Sequence, residues 1–250
     1  MSALEVVFVV SVLVGMSVQG AIGFGFGLVA APAAFAAYSA SEAVLLIQAF
    51  GTAISGLVLF AEGRRADVAT RATATLVIAG IPGMVAGVFI LNAVDKQPLQ
   101  LALGVMILIA VVVQYAATRA GPAEEHRAPA LEAGSGLVAG VLSTSVSVNG
   151  PPIVLLFSHL GLRGSRLRDT LSASLLAFAI GAIAAVLIGS GISGDPPGAA
   201  VLIACVVALL AGHRFGAAVF RRLDDATHQN AALAAVAVAG VFSIVAALTG

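Results

Sequence analysis

Apolar residues run through this chain in eight long stretches, at 3–36, 42–61, 68–91, 98–117, 131–160, 169–192, 199–220 and 228–248, with polar residues gathered between them. A helical membrane span needs about 20 apolar residues, so these segments absorb most of the 250 residues. They predict an all-α, polytopic membrane protein. The first and fifth segments are interrupted. The first break reads Gln19-Gly20-Ala21-Ile22-Gly23-Phe24-Gly25-Phe26-Gly27 and is followed by Pro32. The second reads Ser143-Thr144-Ser145-Val146-Ser147-Val148-Asn149-Gly150-Pro151-Pro152. Glycine weakens a helix by roughly 1 kcal/mol per residue and proline by about 3. Non-helical backbone at membrane depth persists only where protein or a water-filled cavity satisfies its N–H and C=O groups. Two such breaks, similarly placed in the two halves, point to a transport site.

Each half has one broken segment followed by three continuous ones. Sliding the second half back by roughly 125 residues lays 20–27 near 143–150, as an internal duplication would. The expected division is a first membrane repeat at 1–118, a cytoplasmic linker at 119–130 and a second membrane repeat at 131–250. The positive residues set the orientation. Arg64, Arg65 and Arg71 follow the second segment, and Arg119 and Arg127 follow the fourth. Arg163, Arg166 and Arg168 follow the second broken segment, and Arg214, Arg221 and Arg222 end the seventh. Eight simple crossings would scatter these clusters over both faces, against the positive-inside rule. Let the second broken segment instead enter, turn at Asn149-Gly150-Pro151-Pro152 and leave on the side it entered. Every one of the 12 basic residues except Lys96 then shares one face, which is cytoplasmic. By the same logic the first broken segment is a hairpin entering from the outer face. Each repeat becomes a re-entrant hairpin plus three transmembrane helices. Three is odd, so the repeats are inverted. Both termini fall on the outer, periplasmic side of a bacterial inner membrane.

Composition agrees with that class. Only 10% of residues are charged and 60% are apolar, against about 25% charged in soluble chains. The longest polar stretch, at about 117–130, leaves no room for a soluble domain. The first segment continues into its glycine break, which argues against a cleaved signal peptide. The single Cys205 lies in an apolar run, which excludes a disulfide and speaks against a metal site. Charge placement says more than the net charge of zero. All 12 acidic residues fall at segment ends or in loops. Cation carriers and proton relays place carboxylates in mid-membrane, so an anion is favoured. Among the histidines, His126 and His228 are expected to be solvated and His159 interfacial. His213 and Arg214 are either a snorkelling pair or an attractive potential at the cytoplasmic mouth.

Two hairpins meeting at mid-depth would bring both turns to the bilayer centre. Their second arms open near Gly27 and Gly150, and Pro151 and Pro152 suit the first turn of a helix. A helix N-terminus offers free N–H groups and about half a positive charge, an anion site made of backbone alone. Gly23, Gly25 and Gly27, alternating with Phe24 and Phe26, let the backbone approach a ligand closely. Ser143, Thr144, Ser145, Ser147 and Asn149 add neutral donors. Gln19 and Gln48 are the other polar groups within the membrane, and Gln48 either faces the first break or caps a carbonyl. Close packing of small residues between helices is the competing explanation of the glycines. The candidate substrate site is therefore Gln19, Gly23, Phe24, Gly25, Phe26, Gly27, Gln48, Ser143, Thr144, Ser145, Ser147, Asn149, Gly150 and Pro151. No catalytic residue, metal or cofactor is expected. The partners are a small anion and the lipid bilayer, with no nucleic acid; a homodimer is an open option.

At these motifs the chain resembles the TauE/SafE sulfite-exporter family. The glycine spacing from Gly20 to Gly27 with Pro32 is similar to its first motif. The stretch 140–157 with Asn149-Gly150-Pro151-Pro152 resembles its second, and 212–222 followed by Leu223-Asp224 is also similar. The resemblance spans the whole chain. It implies a transporter of small sulfur-containing anions such as sulfite, sulfoacetate or other organosulfonates. The second break departs from many members in being rich in Ser and Thr instead of Gly, which would suit a ligand larger or more polar than sulfite. The inside-negative potential, worth about 2.3 kcal/mol per charge per 100 mV, drives anions outward. Export then needs no coupling ion. An anion channel would share the same site. An intramembrane serine hydrolase built on Ser145 and His159 is the rival from another class, but those two residues lie in opposite arms of a hairpin.

Overall fold

A computed structural model describes every residue except 23, 61–64, 119–126, 192–196, 221–224 and 250, and all side chains of the described helices other than those at 20–22, 114, 116–118, 216–220 and 225–232. The described residues form helices α1 (Ala3–Ile22), α2 (Phe26–Ala37), α3 (Ala40–Phe60), α4 (Thr70–Ala93), α5 (Lys96–Thr118), α6 (Pro129–Ser145), α7 (Gly150–His159), α8 (Gly164–Gly189), α9 (Ala199–Phe220) and α10 (Asp225–Thr249). Both expected breaks are present. The first separates α1 from α2 and the second α6 from α7, and three helices follow each broken pair. α3, α4, α8 and the described part of α5 are long and apolar enough to cross a membrane. α2 and the described parts of α1, α9 and α10 are shorter apolar helices. Large apolar side chains such as Phe89, Val112, Ile188 and Val206 point outward and are exposed, as a lipid-facing surface requires. The fold is that of an all-helical, polytopic membrane protein.

Each broken segment turns back on itself. At Gly15 of α1 an added Cβ would lie 3.0 Å from the carbonyl oxygen of Phe26, the first residue of α2. Further out the Phe8 ring sits 5.6 Å from that of Tyr38, just beyond α2. The arms therefore run antiparallel. In the second pair, Arg127 before α6 lines the same cavity as Leu160 and Leu162 beyond α7. Both ends of that hairpin lie together.

This layout puts Arg71, Arg127 and Arg166 around one cavity at one end of the molecule. Local carboxylates steady that end. Arg127 pairs with the fully buried Glu132 at 2.9 Å, and Arg166 lies 3.7 Å from Asp67. The Asp67 N–H donates to Asp169 Oδ2 at 2.9 Å, tying the approach to α4 onto α8. Lys96 lies instead with Leu4, Ala36 and Thr249 around a cavity at the start of α1 and α5 and the end of α2 and α10. Arg64, Arg119, Arg221 and Arg222 lie outside the described residues.

Lipid supplies no hydrophobic drive between helices, so close backbone approach must hold them together. The α4–α6 seam does this with glycines. A Cβ on Gly83, Gly136 or Gly140 would collide with the carbonyl oxygen of Leu137, Leu76 or Gly80 respectively. Thr144 Oγ1 donates across the same seam to the Met84 carbonyl at 2.8 Å. Gly104 of α5 approaches the Gly240 carbonyl of α10 in the same way, and Gly212 of α9 the Leu13 carbonyl of α1.

Glu42 is buried at the start of α3 for a local reason. Ser39 and Glu42 form a capping box: the Ser39 N–H donates to Glu42 Oε2 at 3.1 Å, and the Glu42 N–H to Ser39 Oγ at 3.4 Å. Ser2 and Glu5 repeat it at α1. Ser39→Ala is expected to cost about 1 kcal/mol of stability and to leave anion affinity unchanged. A thermal-unfolding midpoint in detergent, measured beside a binding isotherm, checks both halves.

Candidate functional site

The first break works through one glycine and one glutamine. Gly25 precedes α2 at φ 111°, a conformation that side-chain-bearing residues rarely adopt. The Phe26 N–H at the start of α2 donates to Gln19 Oε1 at 3.2 Å. Gln19 thus takes up one of the N–H groups that a helix start leaves without an intrahelical partner. Gly27 and Leu28, the next two residues of that first turn, line the cavity described below. Gly23 lies outside the described residues.

The second break is a tight four-residue turn. The N–H groups of Val146 and Val148 both donate to the Leu142 carbonyl at 3.2 Å. Ser147 between them has φ 60°, and among the described residues no other non-glycine has a positive φ. Such strain costs on the order of 1–3 kcal/mol and gathers at ligand clamps and active sites. The Ser147 hydroxyl is buried with no partner. α7 then opens with Gly150, Pro151 and Pro152. The prolines cost the helix nothing there, but they carry no N–H. Only Gly150 keeps a donor among these three. The start of α7 therefore presents fewer backbone N–H groups than a helix start without prolines.

The two breaks touch. A Cβ on Gly27 would fall 2.7 Å from the Ser147 carbonyl oxygen, and one on Gly150 would meet the Phe24 ring at 3.3 Å. Around this junction lies a cavity of about 40 Å³. Gln19, Phe24, Gly25, Phe26, Gly27, Gln48, Ser147, Asn149 and Gly150 of the candidate set line it. So do Leu28, Ile47, Gly51, Ser55, Val148, Leu175 and Ala179, which stand outside the candidate set. Gln48, Gly51 and Ser55 stand at i, i+3 and i+7 on α3. That small or polar stripe was a readable signal; Leu175 and Ala179 of α8 carry none. None of the described residues lining the cavity is ionisable.

Four candidates fall outside that lining: Ser143, Thr144, Ser145 and Pro151. Three of them use their hydroxyls elsewhere. Thr144 donates to Met84 O, and Ser145 donates to Val141 O of its own helix at 2.7 Å. Ser143 Oγ accepts from Gln48 Nε2 at 3.1 Å and from Asn149 Nδ2 at 3.4 Å, and lies 3.5 Å from the Phe178 carbonyl. The hydroxyl-rich run therefore offers the cavity one free hydroxyl, that of Ser147, and gives no argument for a large polar ligand. Both readings of Gln48 hold together: its Nε2 caps the Ser143 carbonyl at 2.7 Å while the residue lines the cavity. Arg214 and His159 are exposed. Ser145 and His159 are separated by the length of α7, a helix of 10 residues with a rise of about 1.5 Å per residue. That separation excludes the nucleophile–base pair.

Apolar spans enclosing two broken hairpins that meet at a cavity lined by uncharged residues are the build of a membrane transporter. The sequence model of one such family, described as sulfite exporter TauE/SafE, matches residues 7–243. The chain belongs to the TauE/SafE sulfite exporter family, and its substrate class is sulfur-containing anions. No curated protein and no solved structure matches the chain.

Proposed function

We propose that this protein exports a sulfite-sized oxyanion across a bacterial inner membrane and holds it at the junction of the two breaks. The observation that carries this is the contact between Gly27 and Ser147 beside a small cavity without ionisable residues. The donors are the N–H groups of Gly27, Leu28 and Gly150, the Ser147 hydroxyl and the Asn149 amide, whose second N–H is not used by Ser143; Gln48 spends both of its amide hydrogens on Ser143 and positions the wall. Helix N-termini of this kind hold anions without a formal positive charge. That suits a ligand that must also leave.

Size favours an inorganic anion. One water needs about 10–15 Å³ of such space, so 40 Å³ accommodates a group of a few heavy atoms. An organosulfonate such as sulfoacetate would need a more open conformation. The arginine-lined end is assigned to the cytoplasm by the positive-inside rule, which leaves both termini periplasmic. The two halves, 1–118 and 131–250 about a cytoplasmic linker at 119–130, act as inverted repeats. Support comes from the pairing of α4 with α6 and of α1 with α9, two contacts that interchange when the halves are exchanged.

Purified protein in proteoliposomes loaded with sulfite provides the test. An imposed inside-negative potential is expected to accelerate efflux over the zero-potential rate, and the flux should saturate with internal sulfite. Sulfite retained as firmly as in protein-free liposomes would overturn the proposal. Linear, unsaturable flux would assign a channel instead.

A further inference from the structure

The outer end of the molecule holds a second polar cavity, separate from the junction of the breaks. It encloses about 460 Å³ between the start of α5, the end of α10, the start of α1 and the end of α2. Two glutamines and one lysine from the first turns of α5 line it. Gln97 Nε2 donates to the Ala247 carbonyl of α10 at 2.7 Å, and Ser243 Oγ of α10 donates to the Gln100 carbonyl at 2.8 Å. These bonds fix α5 against α10. They leave the Gln100 side chain only 5% exposed, with its Nε2 bonded to nothing. Buried amide donors nearly always have a partner, and this orphan one belongs to a residue of the cavity wall. Lys96 stands four residues earlier, hence on the same face of the helix. It brings a positive charge to the same cavity.

None of the residues lining this cavity is acidic; Leu4, Ala36 and Thr249 complete much of it. The opposite end of the molecule differs. There Arg127 is paired with Glu132, and Arg166 lies beside Asp67. Most of that positive charge already faces a carboxylate. We propose that the cavity beside Lys96 and Gln100 is an oxyanion site at the outer mouth, taking a sulfite-like ion or the phosphate of a phospholipid headgroup. Both sources present the same chemistry: a compact group of anionic oxygens that accepts from an ammonium and an amide at once.

Lys96 is the sole lysine of the chain, which makes the test direct. Reductive methylation with ¹³C-formaldehyde places two labelled methyl groups on its Nζ and keeps the charge. The labelled protein in phosphatidylcholine nanodiscs is titrated with sodium sulfite and sodium sulfate, with sodium chloride at matched ionic strength as the reference. The Lys96 resonance is expected to shift saturably with the oxyanions and not with chloride. Losing a donor to a charged group weakens binding at least about ten-fold, and Gln100→Leu should do so. Should that variant fail to fold, Gln100→Glu keeps the shape, and its carboxylate should abolish the shift. Asn149→Ala should leave the Lys96 response intact, whatever becomes of the central site. A Gln100-dependent shift caused by phosphatidylglycerol in the disc, and not by free ions, also supports the site and assigns the lipid phosphate to it. Equal shifts from chloride and oxyanions with no lipid effect would overturn the proposal. So would a saturable shift that survives Gln100→Glu but disappears in Asn149→Ala.

Discussion

Gly27→Val is expected to abolish sulfite efflux while the protein still inserts. The Cβ alone would lie 2.7 Å from the Ser147 carbonyl oxygen, closer than such contacts tolerate, and that oxygen belongs to backbone that cannot swing aside like a side-chain tip. Valine adds two methyl groups to the collision, so the hairpin turns must separate or the 40 Å³ cavity must fill. Overpacking of this kind typically costs about 1–3 kcal/mol, which a membrane bundle with ten helices among its described residues can absorb without unfolding. Flux in proteoliposomes, with helicity and monodispersity as the folding control, separates the outcomes. Normal flux in a folded Gly27→Val protein would contradict the contact between the breaks.

Ser147→Gly should lower sulfite affinity with no loss of folded stability. The hydroxyl is buried without a partner beside the cavity, so its removal leaves no protein group unsatisfied. Glycine adopts φ 60° freely, so the backbone strain is relieved. Only the ligand loses. A hydrogen bond to a charged group is worth about 1.5–3 kcal/mol, or roughly 10- to 150-fold in the dissociation constant. The paired measurement is a sulfite isotherm and a thermal-unfolding midpoint on one preparation. Ser147→Ala removes the same donor but keeps a Cβ at the strained φ, so it should bind as weakly and melt lower than the glycine variant.

Much of the fold was legible because bilayer physics leaves few choices. The two breaks stood out as Gly-Phe-Gly-Phe-Gly and as Ser-Val-Asn-Gly-Pro-Pro in apolar surroundings. The arginines required the second segment to return to its own side, and Arg127 and Leu160 do line one cavity. The contacts between distant segments were not legible. Nothing in the letters says that Thr144 faces Met84 or that Gly140 packs on Gly80, so a hydroxyl used for helix packing looked like a ligand donor. Gln19 was placed in the candidate site for its position, and its cap on Phe26 emerges only once α1 and α2 are folded against each other. The proline pair at α7 carried a local meaning, a good helix start. Its chemical consequence, two missing N–H donors, matters only where an anion is expected to sit.

The location of the anion is the central claim, and sulfite affinity in two variants tests it most directly. Asn149 lies at the junction of the breaks, while Arg214 is exposed on α9 and lines no part of that cavity. In detergent-purified protein, Asn149→Ala is predicted to raise the sulfite dissociation constant about 10-fold or more, with Arg214→Ala indistinguishable from wild type. Wild-type affinity in Asn149→Ala together with lost binding in Arg214→Ala would put the anion at the arginine-bearing mouth and contradict the account.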